Sequence, residues 1–263
     1  SRDCARKICS LDRQCDVMAS ADFTVVQSLL MPDHANFNIR FATNEMAIAY
    51  TAKSKRADEI NAKNWHEILL DKDVIYGRAD PNRDPCGYRS VMVMQLAENH
   101  YKVPGLAGKL ESKHGQKYIR PKETDLLALL EAGEIDYLFI YRSVAEQHGI
   151  KMLLLPDEVN LGKAELAEMY AKASVEITGK KPGEPITKKG KAMVYSVTIP
   201  LNTPNRKAAE AYVLLLLSEQ GREIMRRNGQ PPLTPAPADG SDNIPDSIRK
   251  LTTPLQESES KAP

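Results

Sequence analysis

The run Asp80-Pro81-Asn82-Arg83-Asp84-Pro85-Cys86-Gly87-Tyr88-Arg89-Ser90 restricts the fold more than any other segment of the chain. It follows a strand-like stretch, Asp73-Val74-Ile75-Tyr76-Gly77, and leads into a helix-like one, Val91-Met92-Val93-Met94-Gln95-Leu96-Ala97. Asp84 is suited to cap the helix, and Pro85 then falls at the first helical position, where a missing N–H costs nothing. Cys86, Gly87 and Tyr88 would present backbone N–H groups at the positive end of a helix dipole, which makes a ready anion site. A capped helix with no ligand accounts for the same residues, so locally both readings stand.

Periodicity and turn signals extend this junction into an alternating α/β pattern. Helices are predicted over Ser1–Leu11, Ser20–Leu30, Asp58–Ala62, Trp65–Leu70, Pro85–Tyr101, Glu123–Ala132, Arg142–His148 and Glu165–Ala173. The longest is predicted over Asn205–Arg227. Strands are predicted at Cys15–Ala19, Ile39–Thr51, Asp73–Tyr76, Ile135–Ile140, Lys151–Leu155, Val175–Ile177 and Met193–Ile199. Leu106–Arg120 reads as loop and partial helix, and Gly179–Lys191 as a Lys/Gly/Pro-rich loop. The tail from Gln230 is rich in Pro and polar residues, and its last stretch, Gln256–Pro263, reads as disordered.

A net charge of +1, with 27% charged residues, gives no global field toward nucleic acid or a membrane surface. Anion specificity must therefore come from local donors. The longest apolar run, Ala211–Leu217, is far too short to span a bilayer. The chain begins at Ser1 without an initiator Met, as a processed or trimmed product would. Cys4, Cys9, Cys15 and Cys86 lack the spacing of a zinc clip and read as simple buried thiols. His34, His66, His100, His114 and His148 show no metal-ligand spacing and read as surface or helix-end residues. Lys188, Lys189 and Lys191 read as a solvated loop.

The Asp80–Ser90 run does not stand alone. With Ala19-Ser20-Ala21-Asp22-Phe23, Phe41-Ala42-Thr43-Asn44-Glu45, Tyr141-Arg142-Ser143-Val144-Ala145 and Val194-Tyr195-Ser196-Val197-Thr198-Ile199-Pro200, it resembles the molybdate/tungstate-binding proteins of ABC importers, the archaeal-type WtpA/ModA group. The resemblance runs in order from Ser1 to about Ile248. It implies an α/β, two-lobed periplasmic-binding-protein fold of type II, with two crossover strands near Asn44–Ala52 and Val194–Ile199. Lobe one would combine residues 1–50 and 195–255, and lobe two would hold 51–194. Ligand would sit in the cleft between the lobes.

An oxyanion offers only acceptors, so its cage is built from donors and dipoles. The resemblance assigns ligand contacts to Ser1, Cys86 through its backbone N–H, and Tyr195 through its hydroxyl. Helix capping accounts equally for Ser1, and core packing for Tyr195. A catalytic thiol is the sharper alternative for Cys86, but no His lies close in sequence. Cys4 and Cys86 both match family cysteines, which makes a bridge between them conceivable.

In the archaeal-type group two carboxylates bind the metal centre of the oxyanion and raise its coordination from four to six. Asp84 matches the first and is the candidate metal ligand; where the second is a Glu, this chain has Ile140. No nearby acid replaces it, since Asp136 lies earlier on the strand and Glu146 on the following helix. The resemblance then implies a tetrahedral, hydrogen-bond-only site using the Ile140 N–H, with Asp84 either turned away to cap its own helix or binding a protonated oxyanion. No resident cofactor is expected.

The family begins with a strand, a Gly-Ser turn, a helix and a second strand before the position of Ser1. Lobe one is therefore expected to lack its first strand and to show unpaired edges. The function implied is an extracytoplasmic solute receptor that captures molybdate or tungstate and delivers it to an ABC permease. Any membrane anchor would lie in a segment outside this chain. The alternatives are an intracellular oxyanion-sensing regulatory module of the same fold, and a receptor for another tetrahedral oxyanion such as sulfate. An enzyme ranks last, because nothing pairs a nucleophile with a base.

Overall fold

In the computed structural model, which describes residues 1–178 and 185–255, Asp84 starts the longest helix among those residues, Pro85–Tyr101. Its bounds match the expectation because its stop and start signals are local: an Asp cap, Pro at the first position, and Lys102 in the left-handed conformation at the end. Val91, Met92, Val93, Met94, Leu96 and Ala97 are all buried, so the helix is covered around most of its circumference.

The chain divides into two compact units, one formed by Ser1–Asn44 with Met193–Pro263 and the other by Glu45–Ala192. The first break falls between the strands Asn38–Asn44 and Met46–Tyr50. The expected boundary at residue 50 therefore needs correction. Met46–Tyr50 pairs with Tyr137–Tyr141 and Met152–Leu154, both in the second unit, and strand pairing decides membership.

The first unit is built on a five-stranded sheet in the order Met18–Ser20, Met193–Thr198, Asn38–Asn44, Ala236–Asp239, Thr252–Pro254. Only the last pair is parallel. Met18–Ser20 stands at one edge of the sheet. Phe37, Ile39, Val197, Ile199, Val213 and Ile248 form the centre of one core cluster, and Ile8, Met18, Val26 and Leu30 form another. Two strands come from the Pro-rich tail, for which the sequence signals predicted no element. Pro237 and Pro254 sit there in strands near the sheet margin, where a missing N–H is tolerated.

The second unit has the order Ile119–Arg120, Tyr76–Ala79, Tyr137–Tyr141, Met46–Tyr50, Met152–Leu154. Tyr76–Ala79 runs parallel to both neighbours, and the other two pairs are antiparallel. Phe139 packs edge-on to Trp65 and Tyr76, while Ile140 joins Leu126, Leu127, Leu130 and Leu138 in a separate apolar cluster.

Several expectations change. The helix predicted over Asn205–Arg227 is two helices, Arg206–Leu217 and Glu219–Arg227, because Ser218 is extended and its hydroxyl caps the second one at Gly221. Gly221 has no room for a Cβ, which would meet the carbonyl of Leu215 at 2.2 Å. Lys188 and Lys189 belong to the strand Pro185–Lys189, paired with Ser174–Thr178, rather than to a loop. Asp58–Ala62 is a series of turns. The disorder expected for Gln256–Pro263 lies outside the described residues. All four cysteines are free; only Cys86 is buried, and Cys4 is exposed. His66 is buried and stacks on Tyr101 at 4.1 Å, so it is a core residue.

Candidate functional site

In the second unit, the anion-site motif expected from sequence lies at the start of the helix Pro85–Tyr101. Asp84 Oδ1 accepts from the Cys86 N–H at 2.8 Å, a bond between residues two apart, and the Asp84 carbonyl accepts from Gly87 N–H at 2.9 Å. Asp84 is thus turned onto its own helix. The preceding loop lies against the same turn, with Asp84 N–H and Arg83 N–H both donating to the Asp80 carbonyl. A Cβ on Gly87 would meet the Asp80 carbonyl carbon at 2.4 Å, so only glycine permits this approach. An anion binding through the Cys86 N–H would have to displace the cap.

The Cys86 side chain is wholly buried, with Sγ 3.7 Å from the Phe139 carbonyl. Burial, then the acids Glu123 and Asp84, push its thiol well above the usual range. It remains protonated at physiological pH and is no nucleophile.

Asp84 has an acidic neighbour that sequence reading missed. Glu123, at the start of a 3-10 turn Glu123–Leu126, hydrogen-bonds to Asp84. Burial first, and then this bond, raise the Glu123 carboxyl to about 7. At lower pH Glu123 carries the proton and donates to Asp84. Nothing in the local sequence around Glu123 announces this pairing.

Ile140 is fully buried opposite Ala47 in the antiparallel ladder, against Leu126, Leu127 and Leu130. It can offer a ligand nothing but backbone. One residue on, Tyr141 accepts a hydrogen bond from Arg89 Nη1 at 2.5 Å. The guanidinium also lies 5.5 Å from the Tyr141 ring centre and 5.7 Å from that of Tyr88. Arg89 and Tyr141 both fall inside motifs singled out from sequence, but nothing local marked them as partners.

Ser1 and Tyr195 belong to the first unit. Ser1 Oγ does not cap its own helix; it accepts from the Ala21 N–H at 3.0 Å. Asp22 caps the next helix, Phe23–Leu29, by accepting from Thr24 N–H. Ser20 pairs with Ser196 in the sheet, which brings the Ser1–Ala21 contact close to Tyr195 along the ladder. The Tyr195 ring stacks on Phe41 at 6.2 Å, and its hydroxyl accepts from Asn44 Nδ2 at 2.8 Å. Both expected roles of Tyr195 are thus physically open: the ring packs while the hydroxyl keeps a proton to donate.

Among the described residues no group of three or more His, Cys, Asp and Glu is arranged to hold a metal ion, and no helix is long and apolar enough to cross a membrane.

Two α/β units with helix N-termini at strand ends have the fold of the type II periplasmic binding proteins. The chain is similar in structure to the periplasmic molybdate-binding protein of Azotobacter vinelandii, with a TM-score of 0.54 at 16% identity, covering 88% of this chain and 83% of that one. It is also similar to the sulfate-binding protein SubI of Mycobacterium tuberculosis, with a TM-score of 0.51 at 11% identity over 89% and 74% of the two chains. The pattern of the bacterial extracellular solute-binding proteins matches residues 1–230, and the chain belongs to that family. It is 50% identical to a solute-binding protein of Petrotoga mobilis, over 95% of this chain and 78% of the relative. It is 43% identical to the molybdate/tungstate-binding protein WtpA of Pyrococcus abyssi, over 94% and 76%.

Proposed function

We propose that this protein is the receptor of an ABC importer, taking up a tetrahedral oxyanion of the molybdate/tungstate class outside the cytoplasm and handing it to the permease. The observation that carries this reading is the family match through residues 1–230, together with relatives named for that ligand. Ser1 and Tyr195 would contribute donors from the first unit; in the second, the Cys86 N–H would serve once an arriving anion displaced the Asp84 cap.

The environment of position 140 favours hydrogen-bonded capture over direct carboxylate coordination. Ile140 supplies no oxygen, and Asp84 is engaged by its own helix. An ionised Asp84 turned toward a bound anion would cost about 4 kcal/mol per unit charge at about 4 Å and an effective dielectric of about 20. Sulfate is the competing ligand on this account, since a site made of hydrogen bonds does not require a metal that can widen its coordination.

The test is equilibrium dialysis against molybdate, tungstate, sulfate and phosphate, for the wild type and for Ile140→Glu. Wild-type binding of molybdate or tungstate is the expected result; binding of none of the four overturns the reading. The variant should shift preference toward tungstate over sulfate by about tenfold or more. An unchanged ratio in a folded variant would show that the residue at 140 does not set the mode of coordination.

A further inference from the structure

We propose that Arg89 and Tyr141 form the charged donor pair that selects a doubly ionised oxyanion in the second unit, Arg89 supplying positive charge and Tyr141 a directed proton; this rests on the receptor reading above.

Arg89 is half-buried, yet among the described residues no carboxylate lies within ion-pair distance of its guanidinium. Arg40 and Arg142, by contrast, each have a carboxylate partner: Arg40 faces Asp239, and Arg142 bonds Glu45 at 2.6 Å, while the buried Arg78 makes only a long bond to the Ala79 carbonyl. A guanidinium is always protonated and carries five donors, of which Tyr141 takes one. Its faces lie near two tyrosine rings, which offset part of the desolvation but do not neutralise the charge.

Tyr141 complements this. Its oxygen already accepts from Arg89 Nη1, so its own O–H must donate elsewhere. The pair therefore keeps several donors to spare against one remaining lone pair on the Tyr141 oxygen, a balance that suits an anion. It stands at the carboxyl end of the strand Tyr137–Tyr141, which runs parallel to Tyr76–Ala79, the strand that feeds the helix carrying Arg89. Ligands of open α/β sheets bind at such ends. Arg89 also lies one helical turn beyond Cys86, whose N–H the receptor reading uses.

Titration calorimetry with molybdate, tungstate, sulfate and phosphate tests this on the wild type, Arg89→Met, Arg89→Lys and Tyr141→Phe, with thermal melts on each. Arg89→Met should weaken the preferred dianion by about tenfold to a hundredfold, and Tyr141→Phe by about fivefold. Arg89→Lys should fall between Arg89→Met and the wild type. Affinity in the wild type should drop with added salt more steeply than in Arg89→Met, because one fixed charge is gone. Binding by Arg89→Met and Tyr141→Phe within twofold of the wild type overturns the inference and leaves the receptor reading intact. If Arg89→Met does not fold, wild-type affinity and salt dependence in both Arg89→Lys and Tyr141→Phe overturn it instead. Failure of the wild type to bind any of the four removes the receptor reading, and this inference with it.

Discussion

One arginine from each unit shows opposite ways of taking a guanidinium out of water. In the first, Arg40 is closed off: it stacks 3.9 Å above the Phe23 ring and faces Asp239, which also accepts from Gln27 at 2.8 Å. In the second, Arg89 has tyrosines around it and no carboxylate among the described residues. The acids of the second unit's site are instead paired with each other, Asp84 with Glu123. A charge satisfied internally stabilises one conformation. A charge left with donors to spare is available to something that arrives from outside.

The largest effect should come from breaking the closed pair. Asp239→Leu strands Arg40 in a buried position and should cost about 3–5 kcal/mol in urea unfolding. Arg89→Met, having no internal counter-charge to orphan, should cost about 1 kcal/mol or less without ligand. Equal losses in the two variants would erase the distinction between the two arginines.

Gly87→Ala comes next. A methyl group there would meet the Asp80–Pro81 backbone, so the loop must lift from the helix, at about 1–3 kcal/mol. The same lift would loosen the Asp84 cap, and amide exchange at Cys86 and Gly87 should speed up. Unchanged exchange would mean that the loop does not hold the start of this helix.

The smallest effect belongs to the acid pair. The folded state holds the Glu123 proton more tightly than the unfolded chain, raising the carboxyl from 4.5 to about 7. Unfolding free energy should therefore decline as pH rises from about 4.5 through about 7. The full shift is discounted for the group's partial exposure, leaving about 1–2 kcal/mol between pH 5 and pH 8. Glu123→Gln should remove most of that slope in urea titrations at the two pH values. A slope identical to the wild type's would place the titrating group elsewhere.

The sequence by itself determined the alternating α/β class, the family, and the helix Pro85–Tyr101 with its cap, because capping and turn signals act over a few residues. The Asp84–Cys86 bond spans two positions and could be read directly. Most of the failures have the same origin seen from the other side. The break at Ser218 is a local signal that was overlooked, a serine cap three residues before Gly221, whereas the tail strands Ala236–Asp239 and Thr252–Pro254 exist only because the sheet has a place for them. The fold sets Glu123 against Asp84 from another element, a pairing that no local signal announces. Arg89 and Tyr141 are 52 residues apart and meet only when two parallel strands deliver their ends to one place. Local signals fix where a helix begins; which charges face one another at that beginning is decided by strand pairing over long separations, where neither residue's own neighbours carry the information.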